Sequence, residues 1–336
     1  MRVGLIGYGA WGRWHARALA GFPDVTLAAI LCNGAESAAA ATADFPGIPI
    51  LRDQAEFLAF PLDAVDIVSP NHMHAEQATA ALAAGLHVMV EKPLANTVAG
   101  CDAILAAARA ANRCVSVGHE LRVSTQWGMI RDEIAAGHIG RPMAATYSLF
   151  RRPFRGGAGG WRHDAARVGS WILEEPVHFF DLLLWYFAEH GDPVSIRADS
   201  SSGAGGLQSN LSATVRYASG AFFTVTQLLS GFEHHCALDI GGSDGALRAW
   251  WSGADARITE PTAGLSILRR GAAAPERRDF PHSGEVYELT EHLRRSIAMF
   301  RDGKSPMPAS EARRAVILCL AAEEACRGGA PVALSF

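Results

Sequence analysis

Three glycines close to the amino terminus have the spacing of a phosphate-binding turn. The pattern Gly7-x-Gly9-x-x-Gly12 follows a short apolar segment that predicts a strand, and a helix-compatible stretch covers residues 11–20. In such a turn the first glycine permits the tight bend, the second lets the backbone approach a pyrophosphate, and the third allows close helix–strand packing. The helix N-terminus then offers free N–H groups to the anion. The alternative is an ordinary tight turn, but the flanking strand and helix favour a dinucleotide site.

A lysine at the end of an apolar strand is the second candidate for chemistry. The predicted strand His87–Val90 is followed by Glu91, Lys92 and Pro93. Ligands of open α/β sheets bind outside the carboxyl ends of the strands. Because proline lacks an N–H and blocks continuation of the strand, the chain must turn where Lys92 emerges. By spacing alone, a solvated lysine at a strand end is the more frequent outcome.

A histidine at a predicted helix start is the third candidate. His178 lies in the stretch E-E-P-V-H-F-F-D at residues 174–181. Pro176 suits the first helical position, where its missing N–H is no loss, so the helix should begin there. His178 then falls in the first turn with Asp181 on the same face, and the positive end of the helix dipole favours a neutral imidazole able to take a proton. The alternatives are a partly buried histidine at the helix start and, for Asp181, a hydrogen-bonded surface carboxylate.

Two successive patterns of predicted strands and helices determine where these residues lie. Up to about residue 120, short apolar runs alternate with Ala-rich helical stretches, which predicts a doubly wound parallel sheet. Beyond Gly118, apolar or alternating segments separated by Gly and Ser turns predict a largely antiparallel sheet, closed by helices at 287–300 and 309–326. The Gly- and Arg-rich loop 151–169 is of a length that is usually functional or mobile. We therefore expect an α/β protein with domains at 1–120 and 121–336.

Composition and charge argue against several classes of protein. The 336 residues with 49% hydrophobic content suffice for two packed cores, and the net charge of −4 without a long basic run makes nucleic acid and membrane surfaces poor partners. No segment approaches the roughly 20 apolar residues of a membrane span. Six scattered cysteines without C-x-x-C pairs indicate reduced thiols of a cytoplasmic protein. His234 and His235 lack the helical spacing of a metal pair, so we expect no metal.

Taken together, the motifs resemble the Gfo/Idh/MocA family of NAD(P)-dependent oxidoreductases. The likeness covers the glycine turn, S-P-N-H-M-H at residues 69–74, A-A-G-L-H-V-M-V-E-K-P-L around Lys92, and the segment that holds His178. It implies a Rossmann domain for the cofactor, followed by a substrate-binding α/β domain whose large open sheet commonly builds homodimers or homotetramers. It also implies NAD or NADP as the cofactor and places Lys92 beside the nicotinamide and the substrate hydroxyl.

The family's second signature has the form D-x-G-x-H-x-x-D, from which this chain departs at two positions. Glu174 stands where Asp is usual, and a proline stands where Gly is usual. The resemblance implies that His178 takes the hydroxyl proton while Lys92 polarises and orients that hydroxyl. Glu174 or Asp181 would fix the imidazole ring or carry the proton onward. Alternatively, Glu175 fills this role, or Glu174 contacts the substrate.

The expected cofactor contacts come from several segments of the first domain. At the end of the second predicted strand, Cys32 and Asn33 stand where a carboxylate would favour NAD and an arginine would favour NADP. The preference therefore stays open, and Asn33 could serve either cofactor. The predicted cofactor-binding residues are Gly7, Gly9, Ala10, Trp11, Gly12, Cys32, Asn33, Ser69, Pro70, Asn71, His74, Glu91 and Lys92.

Arginines and a tryptophan mark the expected substrate side. Arginine pairs with carboxylates and phosphates through a planar fork, and tryptophan commonly stacks on sugar rings. These types favour a polyhydroxylated substrate with an acidic group, whereas the alternative is a solvated loop face. The predicted substrate-binding residues are His119, Arg122, Arg152, Trp161, Arg162 and Glu175.

The leading hypothesis is a cytoplasmic NAD(P)-dependent dehydrogenase. It would oxidise a secondary hydroxyl of a sugar, a cyclitol or a sugar derivative, acidic ones included, or catalyse the reverse reduction. Two alternatives stay open: a non-catalytic NAD(P)-binding regulator, and a glycosidase that uses bound NAD for transient oxidation and elimination. The presence of both Lys92 and His178 argues against the regulator.

Overall fold

The computed structural model describes residues 1–203, 206–303 and 308–336, which form two compact units. The first unit comprises Met1–His119, Gly156–Gly169 and Leu289–Val316. The second unit comprises Glu120–Arg155, Ser170–Glu288 and Ile317–Phe336. The first break follows His119, beside the boundary expected at residue 120, and two later segments return to the first unit.

The bounds of the strands and helices are as follows. The strands are β1 (Arg2–Ile6), β2 (Thr26–Leu31), β3 (Ile50–Leu51), β4 (Ala64–Ile67), β5 (His87–Val90), β6 (Val115–Val117), β7 (Pro142–Phe150), β8 (Pro193–Ser202), β9 (Gln208–Tyr217), β10 (Phe222–Leu228), β11 (His234–Gly242), β12 (Gly245–Gly253), β13 (Thr262–Arg269), β14 (Glu276–Arg277) and β15 (Val332–Ala333). The α-helices are α1 (Gly12–Gly21), α2 (Ala35–Asp44), α3 (Gln54–Leu58), α4 (His74–Ala83), α5 (Val98–Ala111), α6 (Trp127–Ala135), α7 (Ala165–Val168), α8 (Trp171–Glu174), α9 (Pro176–Tyr186), α10 (Glu285–Asp302) and α11 (Ala309–Gly328).

The first unit contains a parallel sheet with the strand order β3-β2-β1-β4-β5-β6. The doubly wound sheet expected from the sequence is therefore confirmed. Strands β1, β2 and β4 are buried almost throughout, as expected for a parallel sheet that helices cover on both faces. The sequence patterns do not predict β3 or α3, because elements of two and five residues are too short to show a hydrophobic period.

The part of α10 from Leu289 onward belongs to the first unit, because it buries an apolar face in the core of that unit. Leu289, Leu293 and Ile297 lie four residues apart on one helix face and are all buried. They join the core cluster that contains Leu5 of β1 and Ile30 of β2. Burial of each large apolar side chain contributes roughly 1.5–3 kcal/mol, so this stripe holds the helix segment in the first unit.

The second unit contains a sheet with the order β14-β13-β12-β11-β7-β10-β9-β8-β15. Neighbouring strands are antiparallel except for β7 and β10, which run parallel. The mostly antiparallel open sheet expected from the sequence is confirmed. Within the described residues, no helix has both the length and the apolar composition needed to span a bilayer. All six cysteines are free thiols.

Helix α9 packs its aromatic residues on one face of the second sheet. The ring of Phe179 stacks on that of Tyr147 from β7 with a centroid distance of 4.1 Å. Phe187, directly after α9, meets Phe223 of β10 edge-on at 5.7 Å. Because both ends of the helix are held by buried rings, the first turn of α9, which carries His178, has a fixed place on the sheet.

Candidate active site

The glycine turn has the geometry that a dinucleotide requires. Gly7 has φ = +98°, and a Cβ there would lie 2.7 Å from the carbonyl oxygen of Val68. A Cβ on Gly12 would lie 2.2 Å from the carbonyl oxygen of Gly7. The Cβ position of Gly9, by contrast, has no heavy atom of the described residues within 4 Å. The fold itself therefore needs Gly7 and Gly12, whereas Gly9 keeps space open beside the helix N-terminus for a pyrophosphate.

The N-terminus of α1 fits an anion. Trp11 occupies the N-cap position without a side-chain hydrogen bond to the helix, and the first turn carries no acidic residue. Main-chain N–H groups at a helix start and the positive end of the helix dipole both attract phosphate. The residues present thus fit a dinucleotide: Gly9, Ala10, Trp11 and Gly12 would hold its pyrophosphate, and the bound cofactor would supply the hydride acceptor.

An arginine that was not predicted as a cofactor contact lies beside the end of β2. Cys32 is fully buried, so its side chain belongs to the core, whereas Asn33 is exposed. Arg52, which follows β3, donates a hydrogen bond from Nη2 to the carbonyl oxygen of Asn33 at 2.8 Å. The signal was the short apolar pair Ile50–Leu51 before Arg52, which pairs with β2 as the next parallel strand. A guanidinium thus lies where the ribose of a dinucleotide is expected.

The side chains at residues 69–74, just after β4, mainly form hydrogen bonds within and between loops. His74 is fully buried, with Nδ1 at 2.7 Å from the carbonyl oxygen of Pro93 and Nε2 at 3.0 Å from that of Ser69. Asn71 donates its side-chain N–H to the carbonyl oxygen of Val168 at 3.1 Å. The hydroxyl of Ser69 donates to Gln77 at 2.5 Å. These side chains, predicted as cofactor contacts together with Pro70, hold the loops at the carboxyl ends of β4 and β5.

Lys92 follows β5 and is partly buried, and the peptide bond between Lys92 and Pro93 is cis. The side chain of Glu91, a predicted cofactor contact, is turned into the first unit. Its Oε1 lies 3.3 Å from Nε2 of His15, a buried residue of α1. His15 was not predicted as a site residue, because helix periodicity gives no sign of which strand end a buried histidine contacts.

His178 lies in the first turn of α9, and Pro176 occupies the first helical position as predicted. Nε2 of His178 lies 3.8 Å from Oε1 of Glu120, and both side chains are buried. Glu120 begins a 3₁₀ turn at Glu120–Val123, between the predicted substrate residues His119 and Arg122, and its contact with His178 was not predicted. A carboxylate at this distance stabilises a positive charge that develops on the imidazole when it accepts a proton.

Two residues with separate predicted roles form one ion pair. Nε and Nη2 of Arg122 donate to the two carboxylate oxygens of Asp181 at 2.6 and 2.7 Å. Both side chains are buried, and the Arg122 guanidinium also lies over the Trp185 ring at 5.3 Å. This bidentate pair ties α9 to the 3₁₀ turn that carries Glu120, so it supports the position of His178.

The paired glutamates before α9 have different partners. Glu174 ends α8 and is buried, while Glu175 accepts a hydrogen bond from Nη1 of Arg151 at 2.8 Å. Burial would lower the pKa of Arg151, but the negative charges of Glu175, Glu285 and Glu174 together raise it. Arg151 is therefore held as a cation by several carboxylates at once.

An open pocket in the second unit brings His178 together with acidic side chains. The space inside it, including the solvent-filled mouth, is about 420 Å³. Its polar lining consists of Glu120, Glu175, His178, His234, Glu285 and Glu288. Aromatic rings, among them those of Trp127, Tyr147 and Trp251, form the apolar part of the wall. Aromatic faces beside polar groups suit the C–H and O–H surfaces of a polyol.

Burial shifts the pKa of two groups in this pocket. It lowers the pKa of His234 to about 4, so this imidazole is neutral at pH 7. It also raises the pKa of Glu288, which accepts hydrogen bonds from the Ser283 hydroxyl at 2.9 Å and from the Gly284 N–H at 3.1 Å. His234 therefore contributes no positive charge to the pocket at pH 7.

The other predicted substrate residues lie elsewhere. Arg152 is exposed and donates from Nε to the carbonyl oxygen of Phe232 at 2.7 Å. Trp161 and Arg162 belong to the first unit, where the guanidinium lies over the indole ring at 4.6 Å. His119 is buried at the end of the same unit's first segment. Among the described residues, no group of three or more His, Cys, Asp or Glu side chains has the arrangement of a metal site.

Two curated relatives each match about three-quarters of this chain. Among curated relatives, the 1,5-anhydro-D-fructose reductase of Ensifer adhaerens is 32% identical over 260 residues, which cover 73% of this chain and 74% of that protein. The inositol 2-dehydrogenase of Acidothermus cellulolyticus is 31% identical over 256 residues, covering 74% of this chain and 72% of that protein.

Solved structures share the whole fold. Levoglucosan dehydrogenase in complex with NADH and levoglucosan superposes with a TM-score of 0.85 at 20% identity, covering 99% of both chains. The aldose-aldose oxidoreductase from Caulobacter crescentus in complex with glycerol gives a TM-score of 0.85, also at 20% identity and 99% of both chains.

Family models match both parts of the chain. Residues 1–119 match the oxidoreductase family with an NAD-binding Rossmann fold, and residues 127–248 match the Gfo/Idh/MocA C-terminal domain. These two matches and the relatives of about one-third identity lead to the same conclusion. The chain belongs to the Gfo/Idh/MocA family of oxidoreductases, and its amino-terminal domain is an NAD-binding Rossmann domain.

Proposed function

We propose that the protein is an NAD(P)-dependent dehydrogenase that oxidises a secondary hydroxyl of a sugar or cyclitol, or catalyses the reverse reduction. The observation that carries this proposal is the buried His178 in a pocket with aromatic and carboxylate walls. The names of the relatives support the substrate class, since they include an anhydrofructose reductase and an inositol dehydrogenase.

In this mechanism, His178 accepts the hydroxyl proton of the substrate. Glu120, with its carboxylate 3.8 Å from Nε2, stabilises the imidazolium that forms. Lys92 donates a hydrogen bond to the same hydroxyl and orients it. Asp181 acts through Arg122 by fixing α9, and Glu174 contributes negative charge near Arg151. Lys92 is one of only two lysines among 30 basic residues, so a lysine here stands out in a chain that otherwise uses arginine.

A survey of polyols, inositols, aldoses and uronic acids with NAD and NADP separately tests the proposal. We expect stoichiometric formation of reduced nicotinamide, measured by absorbance, with at least one neutral polyol. A regulator would bind the cofactor and show no turnover with any of these compounds. A glycosidase would release an aglycone from a glycoside without net cofactor reduction.

The charge of the pocket favours a neutral substrate over an acidic one. Four glutamates line it, and the nearby Arg151 is already paired with Glu175. An anionic group would therefore face like charges without a free cation among the lining residues. We expect kcat/KM for an aldose to exceed that for the matching uronic acid by at least about tenfold.

Releasing Arg151 should shift this selectivity. In Glu175→Gln the guanidinium loses its carboxylate partner, so the ratio of kcat/KM for the uronic acid over the aldose should rise. Glu189→Gln, which changes an exposed glutamate of the same unit, is the matched control. A preference of the parent for the uronic acid would contradict the charge argument.

Arg52 should control binding of NADP. We propose that its guanidinium contacts the 2′-phosphate, because no carboxylate stands at the end of β2 to repel that group. A charge-assisted hydrogen bond is worth about 1.5–3 kcal/mol, so Arg52→Ala should weaken NADP binding by about tenfold or more and leave NAD binding nearly unchanged. Calorimetric titration with both cofactors measures this, with the exposed Arg109→Ala on α5 as control. Equal losses for both cofactors would exclude a 2′-phosphate contact.

We also propose that the protein is cytoplasmic and forms a homodimer or homotetramer through its second sheet. Met143, Trp250 and Leu268 are 37–39% exposed on strands whose alternate residues are buried. Large apolar side chains on the open face of a sheet are typical of a subunit interface.

A further inference from the structure

A buried histidine lies between two carboxylates directly behind the strand end that carries Lys92. Nδ1 of His15 on α1 is 2.7 Å from Oδ2 of Asp66 on β4. Nε2 is 3.3 Å from Oε1 of Glu91, which follows β5. The three residues are 2%, 1% and 7% exposed, so this cluster is shielded from water. A buried pair of carboxylates is costly unless a cation compensates it.

His15 is that cation. Burial alone would lower its pKa, but the charges and hydrogen bonds of Asp66 and Glu91 reverse this effect and raise the pKa to about 10. Burial likewise would raise the pKa of Glu91, whereas His15, Lys92 and Trp11 lower it to about 2. At neutral pH the imidazolium therefore donates its Nδ1–H to Asp66 and forms an ion pair with Glu91 on its Nε2 side.

The other charged or titratable groups around the cluster do not replace His15. His292 of α10 is buried, and burial lowers its pKa to about 4, so it is neutral at pH 7. His15, His119 and Arg295 also lower the pKa of His292, which places these groups in the same surroundings. His15 therefore provides the positive charge between the two carboxylates.

Glu91 also packs beside Gly118 and accepts a hydrogen bond from the main chain of Lys92. Its Oε2 accepts a hydrogen bond from the backbone N–H of Lys92 at 3.3 Å. A Cβ at Gly118, directly after β6, would lie 2.7 Å from Oε1 of Glu91, so the glycine leaves the space that this carboxylate fills. The cluster thus joins α1 and the ends of β4, β5 and β6 around the residue before the lysine.

We infer that His15 is a positioning residue for Lys92: by binding Asp66 and Glu91 together, it fixes the carboxylate that orients the main chain and balances the charge of the lysine. The inference rests on the role of Lys92 in the proposed function. The alternative is a purely structural ion pair that stabilises the first unit and leaves the lysine unaffected.

The test uses a double variant that preserves charge. His15→Gln alone would leave two buried carboxylates without a cation, and the fold could fail for that reason. His15→Gln combined with Asp66→Asn keeps the single net negative charge of the cluster but removes the cation from Glu91. We expect NAD binding and the melting temperature to stay close to those of the parent, whereas kcat should fall by at least about tenfold, because small displacements of a catalytic group are costly.

A second readout does not need turnover. The pH dependence of acylation of Lys92, followed by peptide mass spectrometry, measures the pKa of its ammonium, with Lys304 as an internal reference in the same chain. Without His15, Glu91 loses the partner that fixes its carboxylate beside Lys92, so it should stabilise the lysine charge less. We expect the pKa of Lys92 in the double variant to fall by about one pH unit.

Matched variants decide between positioning and structure. Glu91→Gln, which keeps the pair of His15 and Asp66, should lower kcat and the pKa of Lys92 in the same direction. His292→Gln, a buried neutral histidine in the same unit, should change neither. Unchanged kcat and unchanged Lys92 titration in Glu91→Gln or in the double variant would overturn the inference. If the parent turned over no polyol, the proposed function would fail, and the titration of Lys92 would still decide the role of His15.

Discussion

Lys92→Ala and His178→Ala should each lower kcat by about a hundredfold or more, with little change in NAD affinity. Lys92 loses the group that orients the substrate hydroxyl, and His178 loses the group that accepts its proton. Positioned acid–base catalysis typically contributes about 10²–10⁴-fold, which sets the expected size. Steady-state kinetics with the best substrate of the survey, together with calorimetric titration of NAD, provide the measurement.

The controls separate chemistry from folding. His282→Ala removes an exposed histidine from the same unit as His178 and should leave kcat close to that of the parent. Melting temperatures of both site variants should also stay near the parental value, because Lys92 is only partly buried and alanine suits a helix at position 178. Near-parental turnover in either site variant would remove that residue from the mechanism.

Gly9→Val should weaken binding of both NAD and NADP by at least about a hundredfold, close to 2.7 kcal/mol, without unfolding the first unit. The space at the Cβ position of Gly9 is empty of described protein atoms, so the valine fits the fold but occupies the volume expected for the pyrophosphate. Calorimetric titration and thermal melting measure the two effects separately.

Variants at two glycines of α1 serve as controls for this prediction. Gly21→Val, at the far end of the helix and also in open space, should keep cofactor affinity. Gly12→Ala should instead destabilise the fold, because its Cβ would lie 2.2 Å from the carbonyl oxygen of Gly7. Parental affinity in Gly9→Val would show that the pyrophosphate does not lie at this turn.

Local features of the site were predictable from the sequence. The bend at Gly7, the start of α9 at Pro176 and the emergence of Lys92 after β5 each depend on residues within a few positions of one another. Backbone freedom of glycine, the missing N–H of proline and the period of apolar residues act over this short range. The parallel and antiparallel sheets follow from the same local periods.

Pairings between distant residues could not be predicted. Arg122 and Asp181 were assigned to substrate and to proton transfer, yet 59 positions apart in sequence they bind each other. The parallel contact between β7 and β10 inside an antiparallel sheet is likewise a result of chain topology. Arg52 was not predicted as a site residue because the strand before it, β3, has only two residues.

The sequence by itself determined the Rossmann turn, the two sheets, and the positions of Lys92 and His178 on their elements, because these rest on short-range backbone preferences and hydrophobic periods. Only the tertiary structure decided which charges meet. It placed Glu120 beside His178, paired Arg151 with Glu175, and brought His15 between Glu91 and Asp66, the latter 51 residues away in sequence. Side-chain charge interactions depend on distance and burial, and both are set by the packing of elements that are remote in sequence.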